Sequence, residues 1–299
     1  MQKRDLQGYT GKWPDPQWPG RARVAVSFVV NFEEGSEATL SHGDDYNEAV
    51  YEVTDQVIGV PDRCMESHYE YGTKAGFWRI MNCLDRHAAK CTVSACGYAA
   101  ELSSDLIRYA VAGGHEISAH GWRWQKHTHM AEEEERKAIA QTVTTLTAIA
   151  GERPVGWHTR STPSINTRRL LVEEGGFVYD SDDYSDDLPF FTEVSGRRHL
   201  VLPYAFDTND MNFWHGFHRF VTANDFAEYC TDAFDALWVE GEQAPKMMSI
   251  GLHLRMIGRP GRIAGLEKVI HHMRNRGQVW FARRRDIAEH WMRRFAEPK

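Results

Sequence analysis

The chain has 299 residues, of which 42% are hydrophobic and 26% charged, and it carries a formal net charge of −7. That length and apolar content suit one large α/β barrel, and the acidic balance offers no overall field for nucleic acid or an anionic membrane. No run reaches the roughly 18 apolar residues of a membrane span, and five cysteines (Cys64, Cys83, Cys91, Cys96 and Cys230) without a CxxC pair speak against a disulfide framework or a zinc knuckle.

Residues 1–20 are rich in Pro, Gly and Trp and read as an extended arm over the body or a neighbouring subunit, ahead of a single domain over 21–299. The arm has no apolar core of the signal-peptide kind, so a cytoplasmic protein is expected. Arg23 to Phe32, RVAVSFVVNF, is β-branched and apolar, as a buried parallel strand should be. It ends in Glu33 and Glu34. Successive strand side chains point to opposite faces, so only one of the two carboxylates can face a cleft. Ser36 to Tyr46 reads as a loop over that cleft. Gly76 to Ala89 has helical spacing, Cys91 to Gly97 is a strand, and Leu102 to Ala112 is a helix.

Gly113 and Gly114 then turn the chain into a short strand, His115 to Ala119, which delivers His120 at its C-terminal end. In QKHTHM, His127 and His129 read as exposed loop residues. Ala131 to Ile149 is a helix whose opening AEEEER suits the helix dipole and reads as a solvated face. Arg153 to Asn166 is a strand followed by a loop, with a helix from Thr167. Gly176 to Asp183 is a strand entering the acidic cluster Asp180 to Asp187, whose carboxylates read mostly as solvated or capping. His199 to Pro203 and Lys246 to Leu254 are strands, the second carrying His253 at its tip, with a helix from Asp225 to Glu240 between them. A helix (Ile263 to Arg274), a strand (Val279 to Ala282) and a C-terminal helix complete the chain. The alternation predicts an α/β fold with a parallel sheet, and in an α/β barrel the C-terminal strand ends carry the chemistry. No Gly-rich dinucleotide fingerprint or phosphate loop opens any helix.

The segments NFEEGSE, MESHYEYGTKAGFWRI, GGHEISAHGWRW, RPVGW, NTRRLLVEEGGFVYDSDDYSDDLP, DTNDMNF, APKMMSIGLHLRMIGRPGR and VWFARRRDIAEHW follow one another from about residue 5 to 292. In that order they resemble the polysaccharide deacetylase (NodB-like) superfamily and, within it, the branch of cofactor-independent allantoinases. The resemblance implies a distorted (β/α) barrel. Deacetylases of this superfamily bind a divalent ion through a strand-tip aspartate and two histidines spaced i, i+4. Here the strand tip carries Glu33 and Glu34, and the histidine pair reduces to His120 and Trp124. An indole N–H is a donor and not a ligand, whereas catalytic zinc usually takes three protein ligands beside a reactive water. Catalysis without a metal cofactor is therefore expected, with zinc as the alternative if His127 or His129 folds back toward His120.

Amide hydrolysis without a metal needs an activated water, a partner for the oxyanion and a proton for the leaving nitrogen. The expected catalytic residues are Glu34 (or Glu33) as base or substrate anchor, His120 on the water or donating to the substrate, Arg160 and His253. The resemblance places Arg160 in the superfamily's arginine motif, where its fork would grip the carbonyls of a ureide or imide ring. It also makes His253 the proton donor. Glu33, Trp124, Trp157 and Asp210 are expected to bind substrate, with Trp122 and Trp214 as further candidates to wall a flat ring. Asp210 could equally pair with Arg160, orient a histidine or cap a turn. The expected function is hydrolysis of cyclic amide C–N bonds, allantoin to allantoate foremost, by a homotetramer acting on a small ureide or imide. A metal-dependent deacetylase of N-acetyl sugars or another small amide is the alternative, and a non-catalytic binding protein on the same barrel is the third reading.

Overall fold

The computed structural model describes residues 4–49, 56–214 and 220–296. Its strands are β1 (Val24–Phe32), β2 (Cys91–Ala95), β3 (Glu116–Ala119), β4 (Gly156–Trp157), β5 (Tyr179–Asp180), β6 (Phe190–Val194), β7 (Arg197–Val201), β8 (Lys246–His253) and β9 (Val279–Phe281). Its helices are α1 (Arg63–Tyr71), α2 (Phe77–Arg86), α3 (Gly97–Leu102), α4 (Ser104–Ala112), α5 (Glu132–Ala150), α6 (Thr167–Glu174), α7 (Ala223–Glu240), α8 (Ile263–Arg276) and α9 (Arg284–Arg294). The strands join in the order β6-β7-β5-β4-β3-β2-β1-β8, with β9 also on β1. The result is a mixed α/β half-barrel of the NodB type.

All nine residues of β1 are buried, because helices cover one face of the sheet and the barrel interior fills the other. β1 pairs in parallel with β2, β8 and β9. Every ladder is parallel except the β6–β7 hairpin, which turns through Ser195 and Gly196, both at positive φ. Two central residues at positive φ match the twist of the flanking strands. β6 is absent from the sequence reading because its side chains are only half-buried, so no continuous apolar run marks it. The strand expected at the start of 153–166, ahead of its loop, and the one expected over 176–183 shrink to the two-residue β4 and β5. The expected Leu102 to Ala112 helix is two helices broken at Ser103, whose φ is −134.

A helical stretch also begins earlier than the apolar spacing predicts. α1 runs into a π-helical turn over Gly72–Gly76 and then α2. A Cβ on Gly72 would lie 2.4 Å from the Glu34 carboxylate, and one on Gly76 would lie 2.0 Å from the Leu254 carbonyl oxygen. The two glycines thus let the widened turn press against the tips of β1 and β8, which carries Tyr69 toward the barrel mouth.

β7 and β8 do not pair, and the chain after β7 closes the seam instead. Gly251 donates to the Thr208 carbonyl oxygen at 3.0 Å and Thr208 Oγ1 donates to the Ser249 carbonyl oxygen at 2.6 Å. The buried Arg284 stitches the seam from inside, donating to Ser181 Oγ, Ser249 Oγ and the carbonyl oxygens of Leu202 and Pro203. Each acceptor stranded in the interior costs roughly 1–3 kcal/mol. Arg284→Met is therefore expected to destabilise the fold by about 3 kcal/mol or more, read as the shift in a urea unfolding midpoint at constant slope. A loss under 1 kcal/mol would show that the seam closes without it.

At the opposite end of the barrel, Trp18 is buried against Leu200, Ala288 and Trp291 and donates from Nε1 to the Lys246 carbonyl oxygen at 2.9 Å. His290 bonds the Pro16 carbonyl oxygen at 2.8 Å, so residues 16–18 sit on the chain's own body. Among the described residues no helix is long and apolar enough to cross a membrane. Cys83, Cys91, Cys96 and Cys230 are buried free thiols, and Cys64 is exposed.

Candidate active site

The C-terminal ends of four strands converge on a cavity of about 460 Å³. β1 contributes Asn31 and, one residue past its end, Glu33. His120 follows β3, His158 follows β4, and His253 ends β8; Trp124, Arg160 and Tyr204 complete the part of the wall that bears on the chemistry. A second cavity of about 490 Å³ lies on the other side of Tyr204 and Phe206 and, among the described residues, has no histidine or arginine in its wall.

Glu33 is the hub. Its Oε1 lies 3.3 Å from His120 Nε2 and 3.4 Å from His253 Nε2. Its Oε2 accepts from Arg255 Nη2 at 2.7 Å. Burial alone would raise its pKa, but the Arg255 guanidinium first and then His253 hold the carboxyl well below the usual range. Glu33 is accordingly an anion at neutral pH. Glu34 points the other way, against Gly72, and takes Arg255 Nη1 at 3.2 Å; burial pushes its carboxyl up. The choice between the two carboxylates, open in the sequence, falls to Glu33: it turns inward, and Glu34, expected as base or anchor, turns toward α1 and stands outside the cavity.

The two histidines carry defined tautomers. His120 Nδ1 lies 2.5 Å from the His158 carbonyl oxygen, which can only accept, so Nδ1 holds the proton and Nε2 faces the cavity. His253 Nδ1 donates to Asp210 Oδ1 at 2.6 Å, and Asp210 Oδ2 takes the backbone N–H groups of His253 and Ile257. Burial lowers the His253 pKa, but the Glu33 and Asp210 carboxylates outweigh it and push it up to about 9. His253 is thus an imidazolium at neutral pH, with its Nε2 proton toward Glu33. His158 stacks on His120 with ring centroids 5.1 Å apart, and burial holds its pKa well below the usual histidine value, which keeps it neutral.

Other expected residues land elsewhere. Asp210 is fully buried and orients His253 rather than lining the cavity. Arg160 lines it, but its fork is taken by Glu48 at 2.9 and 2.8 Å, and the guanidinium lies 3.4 Å from the Trp124 ring centroid. With the Arg123–Asp44 pair at 2.7 Å, this ties the loop after β1 across the cavity mouth. Trp124 does line the cavity, 5% exposed. Trp157 does not: it is fully buried, bonds Thr159 Oγ1 and packs on Phe177. Trp122 packs on Tyr98, and Trp214 on the core.

His127, expected to be exposed, is buried and bonds Glu135 at 2.9 Å; His129 is exposed. Glu135 is itself fully buried, where the AEEEER run was read as a solvated face. Asp180, read with a solvated cluster, is buried between Arg168 and His199.

Arg255 and Tyr204 were missed. Arg255 sits two residues past His253 in LHLRMIG, and an arginine inside an apolar run was the available signal. Tyr204 carries no such mark. Its hydroxyl accepts Asn31 Nδ2 at 3.2 Å and Asn209 Nδ2 at 3.3 Å.

The comparisons agree with this architecture. Residues 59–174 match the family model described as polysaccharide deacetylase. A Schizosaccharomyces pombe protein named after that family is 36% identical over 312 aligned residues, covering 96% of each chain. The chain belongs to the polysaccharide deacetylase family. Two crystal structures superpose on it with a TM-score of 0.94 at 46% identity. One, from Pseudomonas aeruginosa PAO1 and also named after the family, is matched over 100% of both chains. The other is PuuE allantoinase, matched over 100% of this chain and 99% of that one.

This deacetylase-family fold implies a divalent ion at the strand tip, and the residues present do not fit one. Trp124 stands four residues after His120 and offers no lone pair. The Glu33 oxygen that faces away from the histidines is held by Arg255. Among the described residues no three His, Cys, Asp or Glu side chains are grouped to hold a metal ion.

Proposed function

We propose that this member of the family hydrolyses a cyclic amide C–N bond, allantoin to allantoate, without a metal cofactor. The observation that carries the reading is the pair of unspent polar groups beside the Glu33–histidine hub. Asn31 Nδ2 donates to Tyr204 and to the Leu252 carbonyl oxygen, which fixes the amide orientation and leaves Oδ1 without a partner in the interior. The Tyr204 hydroxyl already accepts two amide N–H groups, so its own hydrogen is available. An acceptor beside a donor matches an amide whose N–H and C=O lie on the same edge, which is the cis form. Lactam, ureide and imide rings are locked cis. An acyclic acetamide reaches that form only at about 2.5 kcal/mol, on the order of a hundredfold in binding. The allantoinase neighbour at 46% identity points the same way.

In the bound ring, His120 Nε2 takes a proton from the attacking water, and Glu33 holds the imidazolium that forms. Tyr204 donates to the oxyanion, and His253 delivers its Nε2 proton to the leaving nitrogen. The base and the acid are kept apart by environment: only His253 has a second carboxylate behind it.

Chelator-treated protein assayed on allantoin and hydantoin, with N-acetylglucosamine as the acyclic control, tests the reading. Ring opening without deacetylation is expected. No turnover of either ring removes the proposal, and deacetylation restored by zinc replaces it with the metal-dependent alternative.

A further inference from the structure

Arg255 is fully buried in the segment after β8, and its fork spans two carboxylates, Glu33 at 2.7 Å and Glu34 at 3.2 Å. Its central carbon lies 4.3 Å from the Tyr69 ring centroid and 5.1 Å from that of Trp124. Two anions in line with the fork and two rings alongside make a slot suited to a planar cation. We infer that the Arg255 guanidinium is the resident cation of the strand tip: it fixes which oxygen of Glu33 faces the histidines, and it excludes a divalent ion from that carboxylate.

Trp124 is then one wall of the guanidinium slot and more than a lost ligand. Tyr69 supplies another from α1, brought close by the Gly72–Gly76 turn. A divalent ion bound to Glu33 would lie beside a fixed positive charge at a buried carboxylate, where screening is weak. Restoring a histidine at position 124 is therefore not enough to restore metal binding while Arg255 stays.

Only the activity arm of the test rests on the proposed hydrolysis. In the metal arm, chelator-stripped wild type, Trp124→His and the double variant Trp124→His/Arg255→Met are titrated with zinc in a calorimeter. Wild type and Trp124→His are expected to bind no zinc stoichiometrically, and the double variant to bind one ion per chain at least about a hundredfold more tightly than Trp124→His. Stoichiometric zinc on Trp124→His, or a folded double variant that binds no more tightly, overturns the inference.

In the activity arm, Arg255→Ala is expected to lose about a hundredfold in kcat on allantoin with KM little changed. Added guanidinium chloride should recover at least about tenfold of it where equal sodium chloride does not, and Arg255→Lys should retain more activity than Arg255→Ala. A folded Arg255→Ala protein with undiminished kcat, or one that guanidinium fails to rescue, counts against Arg255. Should wild type leave allantoin intact, the hydrolytic reading falls and the zinc titrations still decide the role of Arg255.

Discussion

Replacing His253 with alanine is expected to lower kcat/KM for ring opening by about a thousandfold, within the range that a positioned general acid supplies. The expectation rests on its protonation. A histidine buried without partners would be neutral, yet His253 lies between Glu33 and Asp210, and these carboxylates push its pKa up to about 9. It therefore enters the reaction as an imidazolium whose Nε2, 3.4 Å from Glu33 at the cavity wall, carries the proton to be given up. On the alkaline side, activity should fall about tenfold per unit once the pH passes about 9, as the acid loses its proton.

Asp210→Asn removes one of the two anions that raise this pKa, so its alkaline limb should move to lower pH while the residual rate stays above that of His253→Ala. An unmoved limb in Asp210→Asn would mean that the alkaline fall belongs to another group. The same shift links to stability. A pKa raised on folding contributes stability that is fully present below the unfolded histidine value of about 6.5. That contribution is lost as pH rises through about 9.

Glu33→Gln should be comparably severe, about a thousandfold in kcat, or about 4 kcal/mol of transition-state stabilisation. The substitution keeps the shape and removes the charge. His120 then has no anion to meet the proton it takes from water, His253 loses one of the carboxylates that keep it charged, and Arg255 is left half-paired in the interior. Glu34→Gln, by contrast, changes a side chain outside the cavity that shares Arg255 and accepts the Glu33 backbone N–H, and a loss of less than about tenfold is expected. Equal losses in the two variants would show that the carboxylates act as one unit through Arg255. A larger loss at Glu34 would put the hub on the wrong residue. Rates under saturating allantoin, with circular dichroism to confirm folding, decide between these outcomes.

Much of this site was visible in the chain before any coordinates. A buried β-branched strand ending in carboxylates, a glycine-led strand ending in His120 and a late strand ending in His253 are local patterns, and each reports where a strand stops. The parallel sheet follows from their alternation with helices. The acid Glu33 and Glu34 pair shows where such patterns run out. Period two guarantees that one of them faces the barrel, but which one depends on how β1 is rotated, and that is set by the ladders to β2 and β8 and by Gly72 pressed against Glu34.

Arginines were read least well, for one physical reason. A guanidinium advertises a capacity for two-pronged bonding but not its partner. Arg160, expected to hold substrate, lines the cavity and pairs with Glu48, 112 residues away in sequence. Arg255 reaches back 222 residues to Glu33. His127 and Glu135 look like surface residues in a polar run, and only the packing of α5 against the following loop buries them together. Strand β6 escaped because its half-exposed side chains leave no apolar signature.

By itself the sequence determined the strand ends, the parallel sheet and the substitution of an indole for the imidazole four residues after His120, because these depend on neighbours within a few positions. Only the tertiary structure decided which carboxylate serves as the hub, which histidine is charged, and that a buried guanidinium fills the strand tip. Those outcomes depend on charges and burial contributed by residues hundreds of positions apart, and no local pattern records the distance between them.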